Sequence, residues 1–555
     1  MVGDSLSGLP YFSPAGVLEE TAAPEKKVPL FPPTKEQQTI IDFYRTGQSF
    51  KVVALAGTGK TTLIRFCALS VPERRALYLT FDKASADKAT KEMPSNVKAR
   101  TFHSLALEGV SLAYGWDTVK RRQDISLGVK RPLAIANYLG IKDPVTVEVR
   151  GVGDDLTVGK VFKVLTPVEQ VRYCKSAIKA FCDTSDKEIE VKHFPSKFFV
   201  APEIFQLAQR MWADICSPPG VIWWEISYYA KIFCLIDPKY SDITSAYQTL
   251  FIDEAQDTNN LQAGFYAAQV GRPESPLQKV YVGDSNQAIY QFRGDVDLIG
   301  LLSLPSFSLS ESFRFGPNIA AAAAKVHLCR TNDLLPLVGR NSDVGSVQMY
   351  VQNPDAVIAR KNMTVLLIML EGAPHIDHDV HIHVSAKLRN NLIKLVDTII
   401  WFLDESERPG CVRPESLHSD LDEYENLKEF QEGLKDEPAM VVSLVSMLRD
   451  PDERERIIKV IKQTGERLPS KQDLANKGSS KVVELMTTHK SKGGEWGSVQ
   501  LADDFREPKE AYNPATGETT FIYPSIEELN LIYVACTRAK SKLGLGTAAW
   551  IQSPP

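Results

Sequence analysis

The sequence predicts an α/β protein with two cores, each a parallel sheet flanked by helices. Its strands would be short, apolar, β-branched runs bounded by turn residues, and these runs alternate with helical stretches. Continuous apolar strands are typical of a parallel sheet that is covered on both faces. The length of 555 residues is enough for about three or four domains.

The first core is indicated by two helices and four strands. Thr34 is a suitable N-cap for a helix over 34–44, where apolar residues recur at helical spacing. A second helix is expected over 62–70. The strands are expected at 51–57, 76–81, 249–254 and 279–284.

A second set of apolar runs indicates the second core. Its strands are expected at 347–352, 363–370, 380–384, 481–488 and 498–503. Two long segments interrupt the pattern, and the later one contains an acidic stretch at 416–437. We therefore expect a loose arm at 1–30. The first core would comprise 31–108 and 200–310, with an insertion at 109–199. The second core would comprise 311–384 and 480–550, with an insertion at 385–479, and both insertions would be mainly helical.

The composition is that of an ordinary globular protein. Lys and Arg number 64, Asp and Glu 69, which gives a net charge of −5, and 43% of residues are hydrophobic. These values exclude a disulfide-rich miniprotein or a fibrous repeat and argue against nucleic-acid binding by bulk charge. The eight cysteines form no CxxC pair, and neither a signal peptide nor a membrane-spanning run is expected. We expect a cytoplasmic protein without membrane contact.

A phosphate-binding loop is indicated at 54–61, ALAGTGKT, between an apolar strand and a helix. Its glycines would let backbone N–H groups face phosphate oxygens, and the helix N-terminus adds a positive dipole end. Lys60 would reach the β- and γ-phosphates of ATP, and the Thr61 hydroxyl would bind Mg²⁺. The other residues expected to hold the nucleotide here are Gly57, Thr58, Gly59 and Thr62.

A carboxylate pair at 253–254 supplies the second half of the expected site. The apolar strand before it would deliver Asp253 to the strand tip, where the carboxylate can hold Mg²⁺ through water. Glu254 would polarise the attacking water. Such a pair is weak evidence alone and strong beside a phosphate-binding loop.

Seven segments then occur in a fixed order: AGTGKTT (56–62), TFHSLAL (101–107), DEAQDT (253–258), GDSNQAIYQFRG (283–294), SFRFG (312–316), TTHKSKGGEW (487–496) and LNLIYVACTRAK (529–540). This series resembles the motifs of superfamily 1A DNA helicases, the UvrD, Rep and PcrA group. Residues 77–107 resemble most the F-box DNA helicase branch and its short bacterial relatives. The resemblance implies two RecA-like P-loop cores.

The resemblance also implies roles for individual residues around ATP. Gln37 would read the adenine edge, and Gln287 would contact the γ-phosphate. Arg314 and Arg538 would act as paired arginine fingers, which stabilise charge that develops in the transition state. The remaining implied contacts are Phe313 on adenine, Glu495 on the ribose and Lys492 near the phosphates.

Aromatic and basic residues within the motifs would line a path for single-stranded DNA. Base stacking on aromatic faces tolerates any sequence, as a motor requires. The residues are Phe81, Phe102, His103, Tyr290, Phe292, Arg293 and His489. Core packing is the alternative for each aromatic, and for Phe102 the two interpretations weigh equally.

Two further features have plainer alternatives. Four histidines between His375 and His383 could bind a metal, although a turn followed by a strand explains them better. The basic patches Lys120–Arg122 and Lys130–Arg131 could contact DNA phosphates or form a solvated surface.

The resemblance implies an ATP hydrolase that works as a helicase or translocase. Its partner would be single-stranded DNA or a tailed duplex, with movement 3′ to 5′ as Mg-ATP hydrolysis closes and opens the two cores. The alternative is a nucleic-acid-stimulated ATPase that remodels or signals within a larger complex, because the second insertion is short for the family. A P-loop kinase or GTPase is disfavoured by the arginine motifs. A protein partner would bind the arm or the insertions.

Overall fold

The structure is a computed structural model that describes residues 31–124, 128–149, 162–196, 198–273, 275–291, 294–377, 380–405, 418, 421, 430, 439–463, 481–513 and 518–553. The chain divides into two compact units. The first comprises residues 1–53, 60–285 and 290–308, and the second comprises 54–59, 286–289 and 309–555. The predicted arm at 1–30 and most of the acidic stretch at 416–437 lie outside the described residues.

The first unit is built on a six-stranded sheet with strand order β8-β1-β7-β6-β2-β3. The pairings of β1 with β7, β7 with β6, β6 with β2 and β2 with β3 are parallel. Every residue of β2 and β6 is buried, as expected for central strands covered on both faces. The strands are β1 (Phe50–Ala54), β2 (Ala76–Thr80), β3 (Val97–Thr101), β6 (Thr249–Ile252), β7 (Gln278–Gly283) and β8 (Ser306–Leu309).

The first helix of this unit is the one predicted over 34–44. Thr34 caps it in a reciprocal box with Gln37, because each side chain accepts the other's backbone N–H, at 3.2 and 3.0 Å. The helices are α1 (Lys35–Arg45), α2 (Lys60–Ser70), α3 (Lys83–Glu92), α4 (Phe102–Tyr114), α5 (Trp116–Gln123), α6 (Pro132–Tyr138), α7 (Pro167–Cys182), α8 (Pro202–Cys216), α9 (Ile226–Leu235), α10 (Pro238–Ser241), α11 (Asn260–Ala268) and α12 (Leu298–Leu301).

The segment between α4 and α8 is helical and also carries an antiparallel hairpin of β4 (Val145–Glu148) and β5 (Phe162–Leu165). Its longest helix, α7, starts in a capping box of Thr166 and Glu169. The buried face of α7 joins the same hydrophobic cluster as the sheet residues Leu77 and Leu250. This segment is therefore part of the core of the first unit.

The second unit contains the other six-stranded sheet, with strand order β9-β16-β13-β10-β12-β11 and five parallel pairings. The two sheets confirm the predicted fold class of two parallel α/β cores. The strands are β9 (Ser346–Gln348), β10 (Ala356–Ala359), β11 (His381–His383), β12 (Val482–Thr487), β13 (Trp496–Leu501) and β16 (Ala539–Gly544). A separate antiparallel hairpin pairs β14 (Lys509–Asn513) with β15 (Glu518–Ile522).

One predicted strand is wrong. The run at 363–370 forms helix α14 (Asn362–Glu371), whereas the strand beside β12 and β13 is the fully buried β10. The other helices of this unit are α13 (Pro317–Thr331), α15 (Ala386–Glu405), α16 (Ala439–Met447), α17 (Pro451–Gln463), α18 (Thr488–Ser491) and α19 (Ile526–Cys536). Helices α14 to α17 share one hydrophobic cluster with β10 and β12.

None of the described helices combines the length and the apolar character needed to cross a bilayer. The seven cysteines in the described part of the chain are free thiols.

Candidate functional site

The phosphate-binding loop has the glycine conformations that its sequence predicts. Gly57 and Gly59 have φ values of +74° and +83°, in the region that other L-residues rarely adopt. A Cβ on Gly57 would lie 2.5 Å from the Ser312 Oγ and 2.7 Å from the Arg314 Cβ. Glycine is therefore required at this position for space as well as for backbone conformation. Thr58 is buried, and its hydroxyl donates to the carbonyl oxygen of Leu55 at 2.8 Å.

Helix α2 begins with Lys60, whose ammonium group contacts the predicted carboxylate pair in the first unit. Lys60 Nζ lies 2.9 Å from Glu254 Oε1, and both side chains are largely buried. Burial opposes the charge on Lys60, but Glu254, Asp253 and Asp284 outweigh that effect and raise its pKa. The site therefore holds a protonated lysine, a positive charge of the kind that binds phosphate, among three carboxylates that could share a cation.

Glu254 is held in an unusual conformation. Its backbone is left-handed, with φ +51° and ψ +43°, which is uncommon for a residue with a Cβ. The side chain is fixed from two sides, because Oε1 accepts from Lys60 and Oε2 accepts from Gln256 Nε2 at 2.6 Å. Gln256 is fully buried, and its Oε1 accepts the backbone N–H of Asp284 at 3.0 Å. Gln256 thus connects the glutamate to the segment that starts GDSNQ.

Asp253 and Thr61 offer the kind of oxygen ligands that Mg²⁺ prefers. Burial and the neighbouring Glu254 raise the pKa of Asp253, although Lys60 and Tyr78 oppose the shift. A divalent cation beside this carboxylate would offset the crowding of negative charge that raises its pKa. The residues present therefore fit a magnesium ion.

The predicted arginine fingers belong to the second unit, and both are bonded there. Arg538 is 2% exposed, and its guanidinium donates to the carbonyl oxygen of Val534 at 2.9 Å and to Gln287 Oε1 at 3.4 Å. Arg314 Nε lies 2.9 Å from Glu495 Oε2. Gln287, expected at the γ-phosphate, is thus in direct contact with one of the two arginines.

Glu495, expected at the ribose, forms ion pairs in the structure. It contacts Lys540 at 2.6 Å as well as Arg314. Burial would raise the pKa of Glu495, but the hydrogen bond from Lys540 and the charge of Arg314 outweigh it, so the pKa is lowered. Lys492 Nζ donates to the carbonyl oxygen of Gln287 at 3.0 Å. Phe313 is 52% exposed, which leaves ring surface for stacking.

In the first unit, Gln37 is buried and Thr62 is exposed. Because Gln37 uses its Oε1 in the capping box, its amide is oriented by the start of α1. The contacts of both residues with the nucleotide stay predictions.

Two of the aromatic residues predicted to bind single-stranded DNA contact each other. The Phe81 ring is 42% exposed and stacks on Tyr290, with centroids 5.3 Å apart and an interplanar angle of 16°. Phe102 is instead a core residue, because it is 3% exposed and packs edge-on against Phe233 and Phe265. The structure thus favours the packing alternative for Phe102.

Burial lowers the pKa of His103, so its imidazole is favoured in the neutral form. In the second unit, His489 Nε2 lies 3.1 Å from the carbonyl oxygen of Ile289. Phe292 and Arg293 lie outside the described residues.

A cavity of about 660 Å³ in the first unit extends from the carboxylate pair to the predicted DNA-binding residues Phe81 and His103. Phe81 and His103 line it together with Asp253 and Glu254. Helix α7 and the residue that follows it contribute a lysine and an aspartate. The rest of the lining comprises Leu79, Thr80, Phe102, Lys179, Asp183, Asp257, Thr258, Asn259, Gln262, Tyr266 and Asp295.

Two residues of the site were missed by sequence reasoning, namely Tyr78 and Gln256. The Tyr78 hydroxyl donates to Asp253 Oδ2 at 2.5 Å, although 175 residues separate them. Tyr78 reads as an ordinary apolar strand residue, so no signal marked it. Gln256 lies inside DEAQDT, and its nearness to the carboxylates was an available signal.

The two features with plainer alternatives also have clear positions. In the first basic patch, Arg122 is buried and donates to the carbonyl oxygens of Asp214 and Ile215, so it is unavailable to DNA. His375 and His383 are buried, and burial lowers the pKa of each. Within the described ranges no three His, Cys, Asp or Glu residues group as metal ligands. His378 lies outside those ranges.

Comparison with known proteins agrees with the motif order. The family model described as UvrD/REP helicase N-terminal domain matches residues 226–300. F-box DNA helicase 1 of Gallus gallus is 29% identical over 548 residues, which cover 92% of this chain and 48% of that protein. F-box DNA helicase protein 1 of Schizosaccharomyces pombe (strain 972 / ATCC 24843) is 26% identical over 542 residues, covering 92% and 57%. The chain spans about half the length of these curated relatives.

Proposed function

Taking the chain as a UvrD-like superfamily 1 helicase, which its motifs, family match and relatives support, we propose that it is an ATP-dependent DNA translocase and helicase. It would hydrolyse ATP with Mg²⁺ and move along single-stranded DNA in the 3′ to 5′ direction. A protein partner would bind the insertions or the arm, and the cytoplasm remains the predicted compartment.

The observation that carries the proposal is the cluster of Lys60, Asp253 and Glu254 at the end of the first sheet. Lys60 would leave Glu254 for the β- and γ-phosphates, and Glu254 would then be free to accept a proton from the attacking water. Asp253 and Thr61 would hold Mg²⁺, which would supply charge neutralisation for the phosphates. The protein's own contribution is to place the lysine at the phosphates and the base beside the attacking water.

Arg314 and Arg538 are proposed to stabilise the transition state. Such arginines contribute ~10³–10⁵ in rate in phosphoryl-transfer enzymes. Both are engaged with protein groups in the structure, so nucleotide binding has to replace those partners. The contact between Arg538 and Gln287 supports a shared response of the two residues to the γ-phosphate.

Single-stranded DNA is proposed to contact the cavity of the first unit through Phe81. A base that enters between Phe81 and Tyr290 has to separate rings that now stack at 5.3 Å. Stacking contributes about 1–3 kcal/mol per base and needs no particular sequence. This cavity also reaches Glu254, which gives DNA a short route to influence hydrolysis.

ATP hydrolysis measured with and without single-stranded DNA, beside strand displacement on 3′- and 5′-tailed duplexes, tests the proposal. We expect stimulated hydrolysis and displacement of the 3′-tailed duplex only. Stimulation without displacement would favour the remodelling ATPase instead, and no stimulation by DNA or RNA would refute both functions. Lys60→Ala should abolish hydrolysis, and Arg538→Ala should nearly do so while it still binds ATP.

A further inference from the structure

Tyr78 contacts the proposed magnesium ligand Asp253, yet none of the seven motif segments includes it. It is in the central strand β2 and is 2% exposed. Its hydroxyl donates to Asp253 Oδ2 at 2.5 Å. One buried phenol therefore contacts a residue that would hold the metal.

The sheet explains how this contact arises. Strands β2 and β6 are parallel neighbours in which Leu79 pairs with Ile252, and the Asp253 backbone N–H continues the ladder to the carbonyl oxygen of Leu79 at 3.0 Å. Tyr78 pairs with Phe251 and therefore lies two residues before the level of Asp253. A phenol is long enough to span from a strand to the tip of its neighbour.

The carboxylate of Asp253 is fixed through both oxygens. Oδ1 accepts the backbone N–H of Glu254 at 3.0 Å, and Oδ2 accepts the Tyr78 hydroxyl. Each bond uses one lone pair of its oxygen and leaves another for a cation. The plane of the carboxylate is thus set before any ligand arrives.

We propose that Tyr78 is a positioning residue that orients Asp253 for Mg²⁺. The proposal rests on the function proposed above, because that function assigns Asp253 to the metal. Partners that hydrogen-bond to metal ligands fix the ligands' orientation, and their loss lowers metal affinity or activity by about 10–100-fold. The hydroxyl, rather than the aromatic ring, is expected to carry this effect.

Tyr78→Phe tests the role of the hydroxyl because the variant keeps the ring and the packing of the sheet. The matched control is Tyr281→Phe, which removes the hydroxyl of a buried tyrosine in strand β7, on the other side of β6. The binding of a fluorescent ATP analogue is titrated with Mg²⁺, and Mn²⁺ binding is followed directly by its electron paramagnetic resonance signal. Nucleotide binding is also measured in excess EDTA.

For Tyr78→Phe we expect the half-saturating Mg²⁺ concentration to rise about tenfold or more and Mn²⁺ binding to weaken by a similar factor. Nucleotide binding in EDTA should stay within about twofold of the wild type, as should every readout of Tyr281→Phe. If the wild type requires Mg²⁺ and Tyr78→Phe shows the same requirement, the positioning role is wrong. If the wild type shows no Mg²⁺-dependent binding, the proposed function itself fails.

Discussion

In the proposed mechanism, nucleotide binding competes with an ion pair already present at the site. Lys60, the residue expected at the phosphates, contacts Glu254 at 2.9 Å in a largely buried setting. Glu254→Gln keeps the size of the side chain, removes the charge and replaces one of the two acceptor oxygens with an NH₂ donor. The substitution should therefore have opposite effects on binding and on turnover.

The expected size follows from the type of hydrogen bond. A bond to a charged partner contributes about 1.5–3 kcal/mol net, and a neutral one about 0.5–1.5 kcal/mol. Loss of the charge at Glu254 weakens the internal competitor by about 1–1.5 kcal/mol, which corresponds to roughly five- to tenfold tighter ATP binding. Hydrolysis should fall by about 10²–10⁴-fold, because the general base is lost.

Equilibrium titration with a fluorescent ATP analogue and a phosphate-release assay measure the two effects. Glu203→Gln is the matched control, since it makes the same charge change at an exposed site in the first turn of α8. Unchanged or weaker nucleotide binding by Glu254→Gln would refute the idea that the ion pair competes with ATP. Near-normal hydrolysis would remove Glu254 from the role of base.

Four other outcomes are expected. Gly283→Ala should lower kcat without weakening ATP binding, because the new Cβ would lie 2.3 Å from Gln256 Oε1 and displace the residue that holds the proposed base. If the losses of kcat in Gly283→Ala and Gln256→Ala add in the double variant, this explanation is wrong. Thr34→Ala should lower the free energy of unfolding by about 1 kcal/mol in urea denaturation, through loss of the helix cap. Burial lowers the pKa of Lys231 from 10.5 to about 8. Between these two pH values the unfolded chain binds more protons than the folded one, so the free energy of unfolding of the wild type should rise with pH relative to that of Lys231→Met. Phe81→Ala should weaken binding of single-stranded DNA by about 1–3 kcal/mol in fluorescence anisotropy and leave DNA-independent hydrolysis intact.

Four of the six strands of the first sheet could be predicted, because they are short apolar runs between clear turn residues, whereas β3 and β8 were missed. The prediction failed at 363–370, where eight apolar or β-branched residues form a helix with four buried side chains. A short buried run has no polar face, so its periodicity cannot distinguish a strand from a helix. The real strand β10 was missed because only four residues, Ala356 to Ala359, carry its signal.

The site shows a similar division between what is local in the chain and what is not. That Lys60 and Glu254 lie together could be predicted because each belongs to a short motif, while their roles stay predictions. Tyr78 could not, because its role depends on the register between β2 and β6 and on a partner 175 residues away. The bonds that Arg538 and Glu495 make within the second unit also could not be predicted. A motif predicts what a residue does when a ligand is bound, not which protein groups it contacts without that ligand.

The left-handed backbone of Glu254 explains why the supporting residues matter as much as the motif itself. Such a conformation costs about 1–3 kcal/mol in a residue with a Cβ, so it persists only where neighbours determine it. Lys60 and Gln256 hold the two carboxylate oxygens, and Gln256 fits only because residue 283 is glycine. The position of Glu254, the proposed catalytic base, therefore depends on three separate segments of the first unit. In the proposed mechanism, ATP binding would remove one of these supports, Lys60, and Gln256 would keep the carboxylate in place while the phosphate is attacked.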